Sequence, residues 1–137
     1  MQFPGIRIGL SKTITHTVDH RDTAGNNLPD DVEPLLSTSG LINLTILAAT
    51  ELIDPVLPDG FISIGKSASL THEHPSVVGA HLALTVTVVE FDHYHITLRV
   101  VASDETGVVA TGTHVRSIVN KHWLQIRVAG RAAHTNR

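Results

Sequence analysis

An α+β domain, one antiparallel sheet wrapped around one central helix, is what the 137-residue sequence predicts, on three observations. Residues 35–55 are apolar on nearly every face, start among hydroxyl residues and end at Pro55. A helix greasy all round must be enclosed by the rest of the chain. After it come four segments in which apolar and polar residues alternate at the strand period of two. The connections between those segments are turns of a few residues, which makes consecutive strands pair antiparallel.

The elements follow in order. Residues 12–18 (KTITHTV) alternate strictly, with Ile14, His16 and Val18 on one face, and read as a half-buried strand. Residues 19–34 are polar, acidic and rich in turn formers, and predict a long surface loop. Ser37 to Ser39 offer hydroxyl caps for the helix. Residues 61–74 alternate around Gly65, residues 80–91 through Leu82, Leu84, Val86 and Val88, and residues 94–103 and 108–119 complete the set. Asn120 is placed to cap a short last helix, with Gly130 as its stop and Trp123 packed against the sheet. One domain over 1–137 is expected, with residues 131–137 as a frayed tail.

Composition excludes several classes. Net charge is −3, so no basic surface invites nucleic acid or anionic lipid. The absence of cysteine removes disulfides, thiolate nucleophiles and Cys-type zinc sites. The amino end lacks the pattern of a secretory signal and no run of some 18 apolar residues is evident, so no membrane role and a cytoplasmic location are expected. Ten histidines are the unusual number.

The segment STSGLINLTILAATELIDPVLPDGFISIGKSASLTHEHPSVVGAHLALTVTV, and the chain as far as Val119, resembles the fluoroacetyl-CoA thioesterase family in order and spacing. The points of resemblance are Ser39–Gly40 at the helix start, Gly65 in the first long strand, Thr71–His72 at its end, and GTHVRSIV at 112–119. The order of elements is the hotdog arrangement, and the exposed edge of so short a sheet predicts a homodimer or higher homo-oligomer. The resemblance implies hydrolysis of an acyl-CoA or acyl-carrier-protein thioester, and no cofactor or metal is expected. It also implies a catalytic set of a threonine before the helix glycine, a glutamate two turns along the helix and the histidine after the strand. Carried over, Ser39 takes the threonine place and His72 the histidine place, and the glutamate place falls on Leu47, a departure.

Chemistry then assigns roles. His72 is the expected general base, because imidazole titrates near neutrality. Asn43 lies about 40° around the helix from Ser39, and these two are expected to orient water. The Gly40 N–H, at the positive end of the helix dipole, is the candidate oxyanion donor. Gly65 and Phe61 are expected along the acyl channel. Arg99, Arg116, Lys121 and Arg127 are the cations available for a CoA phosphate, and none stands out. Two other readings stay open. One is a non-hydrolytic acyl-thioester-binding or hydratase-like protein. The other is a metal enzyme built on His72-x-His74 and His93-x-His95, whose i, i+2 spacing puts two rings on one strand face.

Overall fold

The computed structural model describes residues 2–135. Strand β1 (Ser11–Thr17) is followed by the loop, helix α1 (Thr38–Ile53), strands β2 (Phe61–His72), β3 (His81–Asp92), β4 (His95–Asp104) and β5 (Gly107–Asn120), and helix α2 (Lys121–His134). The five strands form one antiparallel sheet in the order β1-β3-β4-β5-β2. Hairpins β3–β4 and β4–β5 are adjacent because their turns are too short for anything else. The turn at His93 is tight enough to hold that residue at φ 54. His93 therefore lies off the strand, and the His93-x-His95 pair does not share a strand face.

Alternation decides which side of the sheet is covered. Leu82, Leu84, Val86 and Val88 of β3 and Ile96, Leu98, Val100 and Ala102 of β4 are all buried. They meet Leu41, Leu44, Ala48, Ala49, Leu52 and Ile53 of α1, so the core lies between one sheet face and the helix. Helix α1 with the turn after it, Thr38–Val56, has the length and composition of a membrane span, where the sequence reading expected no such run. Its apolar residues serve the core of this sheet instead, as the buried face shows.

Two expectations at the carboxyl end are corrected. Asn120 does cap α2, its Oδ1 accepting from the Trp123 N–H at 3.0 Å. The helix, however, runs through Gly130 to His134, because an exposed glycine weakens a helix without stopping it. Residues 131–134 are thus helical, and residues 136–137 lie outside those described. Trp123 is 64% exposed and does not pack into the sheet. No residue of α2 is buried.

Candidate active site at the amino end of the central helix

The first turn of α1 meets the last residue of β2. Ser37 alone is the N-cap, its Oγ accepting the Gly40 N–H at 2.9 Å, a contact worth about 1 kcal/mol. Its own N–H donates to the Asp22 carbonyl at 2.8 Å, which ties the preceding loop to the helix start. The Asp22 carboxylate in turn holds His16 Nε2 at 2.7 Å and the Asp19 N–H at 2.8 Å. A loop that looks free in sequence is therefore pinned at this end. Gly40 is required by that docking, since a Cβ there would stand 2.9 Å from the Asp22 carbonyl oxygen.

With Ser37 as cap, Thr38 is the first helical residue, and its Oγ1 lies 3.0 Å from His72 Nδ1. Strand β2 delivers His72 because it shares a face with Ala68 and Leu70, opposite His114, Gly112 and Ala110 of β5. The register shift between Gly65 and Ser67 sets that phase. Among the described residues, His72 Nε2 is the one buried side-chain polar atom without a hydrogen-bond partner. Such an atom costs free energy unless a water or ligand satisfies it. Burial holds the His72 pKa below the ordinary histidine value, partly offset by the His74 main chain, so the ring is neutral at pH 7.

The expected site residues divide. His72 is at the helix start as anticipated, but its partner is Thr38, which the sequence reading passed over for Ser39. Ser39 Oγ lies 3.0 Å from Ser37 Oγ and donates to the Ala24 carbonyl at 3.3 Å, so it braces the cap and not the imidazole. The Gly40 N–H, expected to face an oxyanion, is already spent on Ser37. The N–H groups of Thr38 and Ser39, at the first two helical positions, are the ones with no intrahelical acceptor. Asn43 is exposed on α1. Gly65 sits beside the buried His114 and Arg116, whose nearest atoms would be 3.6 and 3.7 Å from a Cβ there. Phe61 is at the other end of β2, roughly 36 Å from His72 at about 3.3 Å per residue, with its ring 5.2 Å edge-on from Phe3.

Counted from Thr38 the position two turns along α1 is Ile46, and counted from Ser39 it is Leu47. Both are aliphatic and part exposed, at 39% and 50%. The carboxylate of the implied catalytic set is absent in either register.

A second polar group is buried behind the site. Arg116, 3% exposed, donates from Nε to Ser63 Oγ and from Nη2 to the Ser63 carbonyl, each at 2.8 Å. Ser63 Oγ passes its own hydrogen to Asp54 at 2.5 Å, so the counter-charge reaches the guanidinium through a hydroxyl. His114 lies 2.8 Å from the Ser67 carbonyl through Nδ1 and 3.3 Å from Arg116 Nη1 through Nε2. Burial lowers the His114 pKa, and the Arg116 charge lowers it further. Arg116 is thereby removed from the cations free to meet a phosphate.

A sheet curved around one apolar helix is the hotdog fold. A model of the fluoroacetyl-CoA-specific thioesterases matches residues 18–122, and the chain belongs to that family. It is a thioesterase, of a family that acts on acyl-CoA thioesters. Among solved structures, a hot-dog-like protein from Thermanaerovibrio acidaminovorans is 30% identical with a TM-score of 0.90, covering 96% of this chain and 97% of that one. The fluoroacetyl-CoA thioesterase FlK is 21% identical, TM-score 0.81, covering 91% and 96%. A thioesterase superfamily member from Thermus thermophilus is 20% identical, TM-score 0.83, covering 94% and 97%. These last two share the fold. No curated protein sequence matches the chain.

Proposed function

We propose that this protein hydrolyses a small or medium acyl-CoA thioester by direct attack of water, with His72 as general base, at a site completed in a homodimer. The observation that carries this reading is the unpartnered Nε2 of a neutral His72 whose Nδ1 lies 3.0 Å from the Thr38 hydroxyl at the start of α1. In the tautomer that suits the task, Nδ1–H donates to Thr38 Oγ1 and leaves the Nε2 lone pair for water. Nε2 takes a proton as the water oxygen bonds to the carbonyl carbon. The oxyanion faces the Thr38 and Ser39 N–H groups, where the helix dipole favours negative charge. The C–S bond then breaks, and the leaving thiolate recovers the proton from His72. No covalent intermediate forms, so an aliphatic residue in the glutamate place, Leu47 or Ile46, is tolerated.

The exposed edge of the sheet supports the dimer. Strand β2 ends the sheet, and Ile64–Ser69 is an exposed run along it. Ile46 and Leu47 lie exposed on the helix that the sheet enfolds. Pairing two β2 edges covers an unpaired strand and provides cover for both aliphatic residues.

Turnover of a panel of acyl-CoA and acyl-carrier-protein substrates, with and without chelator, tests the reading. Hydrolysis of at least one acyl-CoA, unaffected by chelator, is expected. Tight acyl-CoA binding with no turnover overturns it in favour of a binding protein, and loss on chelation in favour of a metal enzyme. The pH profile adds a signed check. The base must be neutral, and its pKa is lowered from 6.5, so kcat/KM should stay level through neutrality and fall only below pH 6.5. An acid limb centred above pH 7 would contradict this.

A further inference from the structure

Helix α2 lies outside the chemistry described so far, and nearly all of it lies beyond the family-matched residues. None of its residues is buried, and Trp123, Ile126 and Val128 are among the exposed ones. Apolar surface left open on this scale marks a contact to be made. Between α2 and the ends of β2 and β5 runs an open groove of about 620 Å³, walled by Phe61, Tyr94, Trp123 and Val128 and carrying Arg127 and Arg131. All thirteen acidic residues of the chain precede Lys121, together with six of its ten lysines and arginines. Residues 1–120 therefore carry −7 and residues 121–137 carry +4. Among the described residues neither groove arginine makes an ion pair. The occupant that fits is apolar at its contacts and acidic around them.

We propose that the groove is filled by the acidic loop of a second copy of this chain, residues 28–33 (LPDDVE). The loop matches the groove in kind. Its Val32 N–H closes a turn on the Pro29 carbonyl at 3.0 Å, which sets Asp30 and Asp31 at the tip with Leu28 and Val32 on either side. Leu28 and Val32 are exposed, and among the described residues the two aspartates make no ion pair. The aliphatic pair suits the aromatic wall, and the carboxylates suit the two guanidinium groups. The loop of the same chain cannot reach. It is fastened beside His72, where the Asp22 carbonyl accepts from Ser37 and Asn26 donates to the Leu35 carbonyl. The eight residues 27–34 between those ties extend about 14 Å out and back. The groove is at the other end of β2, roughly 36 Å away. Two-fold pairing of the β2 edges closes that gap. Centring the contact on the exposed run sets Ile64 opposite Ser69, and the same register sets Phe61 opposite the partner's His72. The groove of one protomer then opens toward the loop of the other. The assignment rests on this pairing and not on the chemistry at His72. In consequence, the loop that leads into the helix start of one subunit is held by α2 of its partner.

The chain has no cysteine, so single cysteines introduced into it report the contact directly. Val32→Cys protein is mixed with Val128→Cys protein, co-refolded to exchange subunits, treated with a short bismaleimide and read on a denaturing gel. A covalent dimer is expected from the mixture and from neither protein alone, because the two-fold axis holds equivalent positions apart. Sedimentation reads the charge partnership. R127E/R131E and D30K/D31K should each weaken the dimer at least tenfold, and all four changes together should restore most of the loss. The difference from wild type should shrink in high salt. All four side chains are exposed, so far-UV circular dichroism should show an unchanged fold. A wild-type chain that stays monomeric overturns the assignment together with the pairing of β2 edges. A dimer that gives no cross-link in the mixture, or that is indifferent to both charge reversals, overturns the groove assignment alone. Neither readout needs turnover, so failure of the hydrolase reading leaves both intact.

Discussion

His72→Ala is expected to lower kcat on acyl-CoA by about 10²–10⁴, the usual contribution of a positioned general base, while the protein stays folded. The side chain is only part buried and sits at the end of an edge strand, so truncation removes little core packing. It also deletes the unsatisfied Nε2, which favours the variant's stability. Far-UV circular dichroism and a urea titration beside the kinetics separate lost chemistry from lost fold. Full activity in a folded His72→Ala protein would end the general-base reading. Thr38→Val sharpens the result, because valine keeps the shape and removes the hydroxyl that holds Nδ1. If water attacks, the hydroxyl only fixes the tautomer, and Thr38→Val should retain more activity than His72→Ala. Equal losses in the two, with a burst of released CoA in wild type, would instead make Thr38 the nucleophile.

The period of the side chains made the sheet legible. Strict alternation in β3 and β4, with turns too short to cross over, leaves antiparallel neighbours as the one solution. The helix was legible for the converse reason, an apolar stretch with no polar face to leave in water. His72 was singled out by the family resemblance at Thr71–His72, and the end of β2 brings it to the helix start. The choice among Ser37, Thr38 and Ser39 was not legible, because three consecutive hydroxyls all satisfy the capping preference. A shift of one residue turns a helical side chain by about 100°, so that ambiguity moved the imidazole's partner and the glutamate position together. The Gly40 N–H was misassigned for the same reason, since the true cap determines which amides remain free. Phe61 lies far from His72 within its own chain, because sequence distance along a strand is real distance in space. The Arg116–Ser63–Asp54 relay joins residues from β5, β2 and the turn after α1, and no local pattern announces such a contact.

Gly112→Ala is expected to have the largest effect on stability of any single methylene-sized change, roughly 3 kcal/mol or more, read as a drop in the urea midpoint. Gly112 on β5 stands opposite Leu70 of β2. A Cβ there would run into the Ser69 carbonyl oxygen, with Leu70 Cα at 2.8 Å and its Cδ2 at 2.6 Å. Two of those three atoms are main chain and cannot rotate away as a side-chain tip can. Within one subunit β2 has only β5 beside it, so β2, together with any seam it forms with a second copy, is the element that must yield. Its displacement carries His72, two residues beyond Leu70, away from Thr38. The variant should therefore lose turnover even under conditions where the remainder of the sheet persists. Gly130→Ala is the control with the opposite sign. Nothing lies within 4 Å of a Cβ at that position, and alanine is favoured over glycine in a helix by about 1 kcal/mol. A Gly112→Ala protein as stable as wild type would show that β2 and β5 do not pair in this register, and the placement of His72 would fall with it.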